Sequence, residues 1–204
     1  STLFPYTTLF RSTNLQKPST VSFDRFGILP DTQDNASDAA SKLIAYLQSR
    51  TDTAHLTVAF SAGTYHFYED GAFVCEYYIS NHDQDNPKRV GFAFEHLQNI
   101  TFDGQGSEFI FHGRMIPFAL LNGKNITLKN FSVDFAVPAL RQLQVLDVNR
   151  ARNETKAAIY PSGYYRIEDG RLVLSGEGFE IVPTFAMPRS EEHTSELQSH
   201  ELIS

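Results

Sequence analysis

The stretch HLQNITFDG at residues 96–104 returns as NGKNITLKN at residues 122–130, with Asn-Ile-Thr and a following bulky apolar residue held at an offset of 26. Self-similarity at a fixed period of this length marks a chain built from stacked units, each too small to bury its own apolar face. The offset suits one coil of a right-handed parallel β-helix, in which every turn of chain adds short strands to parallel sheets. Inward Ile and Phe side chains then stack into a continuous core. Asn99 and Asn125 hold the same repeat position, as do Ile100 and Ile126, so the repeat predicts an Asn ladder at a bend beside an Ile stack. The sequons Asn99-Ile-Thr101 and Asn125-Ile-Thr127 coincide with the repeat. Asn satisfies backbone groups at turns, and the two are read as structural.

Around this repeat the text is mostly strand and turn. One amphipathic helix starts between Asn35 and Asp38 and runs to about Gln48, with Ala39, Leu43, Ile44 and Leu47 on one face. LTVAFSAGTYHF then reads as two short strands about a corner at Ala62-Gly63. After Pro138 the repeat fades, and YYRIEDGRLVL carries Asp169-Gly170 between two apolar runs, a hairpin signal. The fold class expected is all-β: a parallel β-helix with an N-terminal cap helix, truncated, followed by the start of an antiparallel insertion. Cap and first coils occupy residues 13–139, and the insertion, barrel-like, occupies residues 140–188.

The two ends read differently. RSEEHTSELQSH, from Arg189, translates as a sequencing adapter, and TLFPYTTLFRS near the start translates as its partner. The adapter codons for Leu9-Phe10-Arg11-Ser12 are the reverse complement of those for Arg189-Ser190-Glu191-Glu192. Residues 1–12 and 189–204 are therefore expected to be adapter-derived, and the remainder a fragment of a longer protein. Without them, the 17 basic and 24 acidic residues lose Arg11 and Arg189, and Glu191, Glu192, Glu196 and Glu201, leaving a net charge of −5. That balance, with no basic run, argues against nucleic acid as a partner. No apolar stretch approaches the ~20 residues of a spanning helix, so membrane insertion is not expected. Oligomeric state is left open.

Few residues offer chemistry. Gly104-Gln105-Gly106 lacks the remaining glycine of a dinucleotide fingerprint and reads as a turn. There is no Gly-x-Ser-x-Gly elbow and no pair of His at zinc spacing, so neither a metal nor a cofactor is expected. Cys75 is the sole cysteine and reads as a small buried apolar group. His66, His82, His96 and His112 are scattered and read as structural. Carboxylates remain, because cleaving a glycosidic bond takes an acid and a second carboxylate. Asp134 alternates with Phe131, Val133 and Phe135, so it can project from a strand, and Asp103 lies in a turn one repeat earlier. For both, a plain turn or edge carboxylate is the simpler reading.

FDRFGILPDTQDNASDAA followed by FSAGTYHF resembles the opening cap of pectate-lyase-like β-helices. YYISNHDQ and NITFDGQGSEFIFHGRMIPFALLNGKNITLKNFSVDF are similar, more narrowly, to glycoside hydrolase family 110, the bacterial exo-acting α-1,3-galactosidases. The resemblance implies a parent enzyme that removes terminal α-1,3-linked galactose from blood-group B or linear α-galactosyl glycans. It implies inversion, no metal or other cofactor, a β-helix interrupted by barrel insertions, and a periplasmic or extracellular place of work. It also implies that the catalytic carboxylates lie beyond Pro188. No catalytic or substrate-binding residue is assigned here; Asp134 stands as the one candidate within the chain, and the fragment alone is expected to be inactive. Two other readings stay open: a pectin lyase or polygalacturonase type of β-helix, and a non-catalytic adhesin or tailspike.

Overall fold

The computed structural model describes residues 19–78, 86–138, 142–160 and 165–181. Both adapter-like ends, His82 with the whole of SNHDQ, and the expected boundary at Leu140 lie outside the described residues.

Two successive stretches of chain stack in parallel with the register the repeat requires. Strand β5 (Lys88–Glu95) pairs with β7 (Met115–Leu121), Val90 opposite Ile116 and Phe92 opposite Phe118. Strand β6 (Gln98–Phe111) pairs with β8 (Lys124–Phe135), Ile100 opposite Ile126 and Thr101 opposite Thr127. Both offsets are 26. Past the corner the register changes, Ser107 facing Phe131 and Phe111 facing Phe135, an offset of 24. The two residues are absorbed where Gly104-Gln105-Gly106 turns one coil and Asn130 alone, at φ 58°, turns the next.

Earlier strands extend the same sheets at longer offsets. Strand β1 (Ser19–Ser22) pairs with β2 (Leu56–Ala59), and β2 with the first half of β6, Leu56 opposite Ile100. Strand β3 (Thr64–Phe67) pairs with the second half of β6, Thr64 opposite Glu108. The offset here is 44, because β4 (Phe73–Cys75) and the chain around it leave the stack before returning antiparallel to β5. Cys75 on β4 is half-buried rather than buried, since this short strand sits at a sheet margin.

Helix α1 (Ser37–Gln48) closes one end, with Ala39, Ala40, Leu43, Ile44 and Leu47 buried. Its first turn is held from outside the helix. The Ser37 N–H donates to Asn35 Oδ1 at 2.8 Å, and the Ser37 hydroxyl donates to the Tyr68 carbonyl at 2.7 Å. The Ala36 N–H donates to the His66 carbonyl, so the helix start is tied to β3, while the Asn35 side chain satisfies the first of its free donors.

The core is aromatic. Phe23, Phe60, Tyr65, Phe67, Phe92, Phe94, Phe102, Phe109 and Phe111 are all fully buried, and the rings of Phe23 and Phe60 stack at 4.2 Å and those of Phe67 and Phe111 at 4.9 Å. Period-2 alternation places them: on β6, Phe102, Phe109 and Phe111 point in while Glu108 is exposed. Towards the last coil the core thins, with Phe118, Ile126, Leu128, Phe131 and Phe135 only partly buried against it.

The chain then turns antiparallel. Strands β9 (Gln142–Asn149) and β10 (Glu154–Tyr160) form a hairpin. Strands β11 (Tyr165–Glu168), β12 (Arg171–Ser175) and β13 (Glu180–Ile181) form a small sheet. Asp169 and Gly170 have φ 50° and 73°, the left-handed pair that a two-residue hairpin loop demands.

Candidate functional site

The predicted Asn ladder is present. The Asn125 Nδ2 group donates to Asn99 Oδ1 at 2.8 Å, and Asn99 Nδ2 donates to the Thr53 carbonyl at 2.8 Å. Both residues are left-handed, at φ 57° and 54°, and both sequon side chains are thus engaged in the fold. Asp103, one corner on, accepts from Asn130 Nδ2 at 2.9 Å and from the Gln105 N–H at 3.1 Å, and pairs with Lys129 Nζ at 3.1 Å. The Asn130 bond is the largest influence holding its carboxyl below the usual range, followed by the Gln105 N–H and Lys129 against a desolvation cost. Every strong partner of Asp103 is a corner residue, and its role is to brace the turn.

Asp134 occupies a different surface, the outward face formed by β3, the second half of β6 and the second half of β8. Thr64, Glu108 and Ser132 share one row across these strands, and His66, Ile110 and Asp134 share the next. Glu108 and Asp134 are exposed. They lie one strand apart and two residues along, which strand spacing and rise convert to about 8 Å between Cβ atoms. The Phe135 N–H donates to Asp134 Oδ1 at 2.7 Å. As solvated acceptors on a flat parallel sheet, the pair suits hydrogen bonding to hydroxyl groups.

At the margin of this face stands a cluster that spacing alone gave no reason to assemble. His66 Nδ1 and His112 Nε2 are 3.0 Å apart, His112 Nδ1 is 2.8 Å from Glu177 Oε1, and Gln33 Nε2 is 3.3 Å from His66 Nε2. The Tyr68 ring stacks on His112 at 4.0 Å and 12°. Burial, then the neighbouring His112, lowers the proton affinity of His66, while Glu108 opposes them. His66 and His112 are separated by the 44-residue offset plus two, a spacing hidden by the excursion of β4.

A cleft of about 330 Å³ opens at another corner, between the end of α1 and the β5–β6 turn, and Gln48, Arg50, Asp52, Glu95, His96 and Gln98 supply its polar lining. Arg50 is already committed to Asp52 and to the Ala54 carbonyl, and Glu95 accepts from the Tyr77 hydroxyl. Burial, then hydrogen bonds with Cys75 and Glu95, raises the Tyr77 phenol far above its ordinary value. Among the described residues, no three His, Cys, Asp or Glu side chains are grouped to hold a metal ion. Among them, too, no helix is long and apolar enough to cross a membrane.

No family model matches the chain. It is 41% identical over 167 residues to an α-1,3-galactosidase B of Phocaeicola vulgatus, covering 80% of this chain and 27% of that protein. An α-1,3-galactosidase B of Bacteroides fragilis is 51% identical over 124 residues, 60% of this chain and 21% of the relative. An α-1,3-galactosidase A of Shewanella woodyi is 38% identical over 169 residues, 83% of this chain and 27% of the relative. The chain thus spans about a quarter of the length of the curated relatives it matches. With identities of this size over most of its residues, carried on the stacked strands described above, the chain belongs to glycoside hydrolase family 110, the family of the α-1,3-galactosidases.

Proposed function

We propose that the protein carrying this chain is a glycoside hydrolase that removes terminal α-1,3-linked galactose from glycans of the blood-group B or linear α-galactosyl kind. The observation that carries the reading is the 51% identity, over 124 residues, to a relative named for that activity. Residues 13–139 form the cap and first coils of a right-handed parallel β-helix, to which the parallel pairings at offsets of 26 lend support. Residues 140–188 begin an inserted β-barrel-like domain, in keeping with the antiparallel pairings of β9 to β13.

The reaction inverts the anomeric centre, with an acid protonating the leaving oxygen and a base activating a water on the opposite face. That chemistry is supplied by carboxylates beyond Pro188, without metal or cofactor. The chain alone is inactive, and its share of the work is to found the stack on which later coils place the acid and the base. Asp134 with Glu108, on the outward sheet face of β6 and β8, accepts hydrogen bonds from sugar hydroxyls. The enzyme works in the periplasm or outside the cell, where such glycans are met.

The test is galactose release from an α-1,3-linked galactosyl disaccharide, comparing the full-length protein with the 204-residue chain. Release by the full-length protein alone is the expected result. Release by the short chain, or by neither, overturns the reading.

A further inference from the structure

Gln33, His66, His112 and Glu177 come from the loop before α1, from β3, from the residue after β6, and from the β12–β13 turn, yet they form one continuous hydrogen-bonded row. The side chain of His112 is 14% exposed and that of Glu177 37%. The two Glu177 oxygens have separate duties: Oε1 takes His112, and Oε2 accepts the Gly113 N–H at 3.1 Å. Proton counting fixes the rest. An ionised carboxylate only accepts, so His112 carries its hydrogen on Nδ1. In a neutral ring Nε2 is then an acceptor, which requires His66 to donate from Nδ1 and leaves His66 Nε2 to accept from the Gln33 amide.

With both rings neutral, every contact in the row has one donor and one acceptor. One added proton can be housed, because Gln33 can turn its amide and present oxygen to a new N–H on His66. A second proton cannot, since N–H would face N–H across the 3.0 Å between the rings. We propose that this row is a one-proton latch, in which the His66–His112 contact fastens β3 to the end of β6 while the histidine pair carries no more than one proton and parts when a second enters, His112 keeping its bond to Glu177.

The charges around the pair do not remove the conflict. Glu108 on β6 stands beside His66 and favours its cation. Asp134 on β8 is in the His66 row, one strand beyond Ile110. Glu69 is engaged with the Arg114 N–H at 2.6 Å, and the exposed Arg114 contributes positive charge nearby in the chain. Two rings that share one hydrogen bond take up their protons as a coupled pair, and burial and the neighbouring ring already lower the proton affinity of His66. The inference is independent of the galactosidase reading.

The test is long-range proton–nitrogen NMR on the 204-residue chain labelled with ¹⁵N in histidine, from pH 8 to pH 4.5, with each ring assigned by H66Q and H112Q. Both rings are expected in the Nδ1–H form at pH 8, with the pair taking up one proton and then a second in separate steps as the pH falls. E177Q makes a sharper demand. The Gly113 N–H cannot reverse, so the glutamine oxygen must stay on it and the glutamine N–H must face His112. The whole row then inverts, and both rings switch to Nε2–H. E177A should lower exchange protection of the Gly113 amide about tenfold, the loss of one charge-assisted hydrogen bond. Glu177 is over a third exposed, and the amide dispersion of each variant checks that it folds. Two rings that titrate independently near pH 6.5, or an E177Q spectrum with unchanged tautomers, overturn the latch.

Discussion

Asn99 and Asn125 combine two tasks that are seldom separable, a left-handed backbone and a ladder hydrogen bond. Alanine at position 99 forfeits both: about 1 kcal/mol for each of the two lost hydrogen bonds, to Thr53 and Asn125, and a further ~1 kcal/mol for the left-handed conformation. Glycine restores the backbone and leaves only the hydrogen-bond loss. Urea unfolding should therefore rank wild type above Asn99→Gly above Asn99→Ala, and equal losses for the two variants would contradict the two-task account. Asp103 belongs to the same corner. Its carboxyl is held below its ordinary value, so its contribution is complete above the unfolded carboxylate range and is lost as the pH falls through its folded value. Asp103→Asn should accordingly be less stable than wild type at pH 6 and approach it near pH 2, measured as the difference in urea midpoint. The Asn ladder was legible in the sequence because the repeat itself aligns its members. The His66–His112 contact was not, because its spacing contains the β4 excursion, which no periodicity reports.

At the level of strands, β6 shows how a repeat survives a local mismatch. One coil turns its corner with three residues and the next with one, so the offset passes from 26 to 24 while inward positions keep matching, Phe109 opposite Val133 and Phe111 opposite Phe135. The tight packing falls on Gly104. A Cβ there would meet Phe131 Cβ at 2.5 Å and the Asn130 carbonyl oxygen at 2.8 Å, and since one of these is backbone, neither can swing aside. Gly104→Ala should cost roughly 1–3 kcal/mol through overpacking, read as a lower urea midpoint with an unchanged slope. Phe102 lies at the centre of the aromatic stack, touching Phe60, Phe92, Phe94 and Phe118. Phe102→Ala should cost about 3–5 kcal/mol, well above Phe135→Ala at the thinly covered last coil. Comparable losses at the two positions would mean that the core does not thin as described. The helix, both halves of LTVAFSAGTYHF and the Asp169-Gly170 hairpin could be anticipated because period and turn chemistry are local. The half-burial of Cys75 could not, since it depends on β4 lying at a margin.

For the molecule as a whole, α1 closes one end of the stack, whereas at the other, among the described residues, β8 has β6 as its sheet neighbour and leaves Val133 exposed. On the proposed β-helix reading, stability comes from neighbouring units, and this segment offers an edge to further coils. That architecture agrees with a chain about a quarter as long as the relatives it matches. It also explains why family membership was legible while a catalytic pair was not: the motifs that carry the likeness are corners and core strands, and Glu108 and Asp134 form a solvated pair. The central claim is that these coils found an inverting α-1,3-galactosidase. Following the full-length protein by proton NMR on an α-1,3-linked galactosyl disaccharide tests it most directly. The account predicts β-galactose as the first-formed anomer, with no release from α-1,4- or α-1,6-linked counterparts. First-formed α-galactose, or preferential cleavage of another linkage, would contradict it.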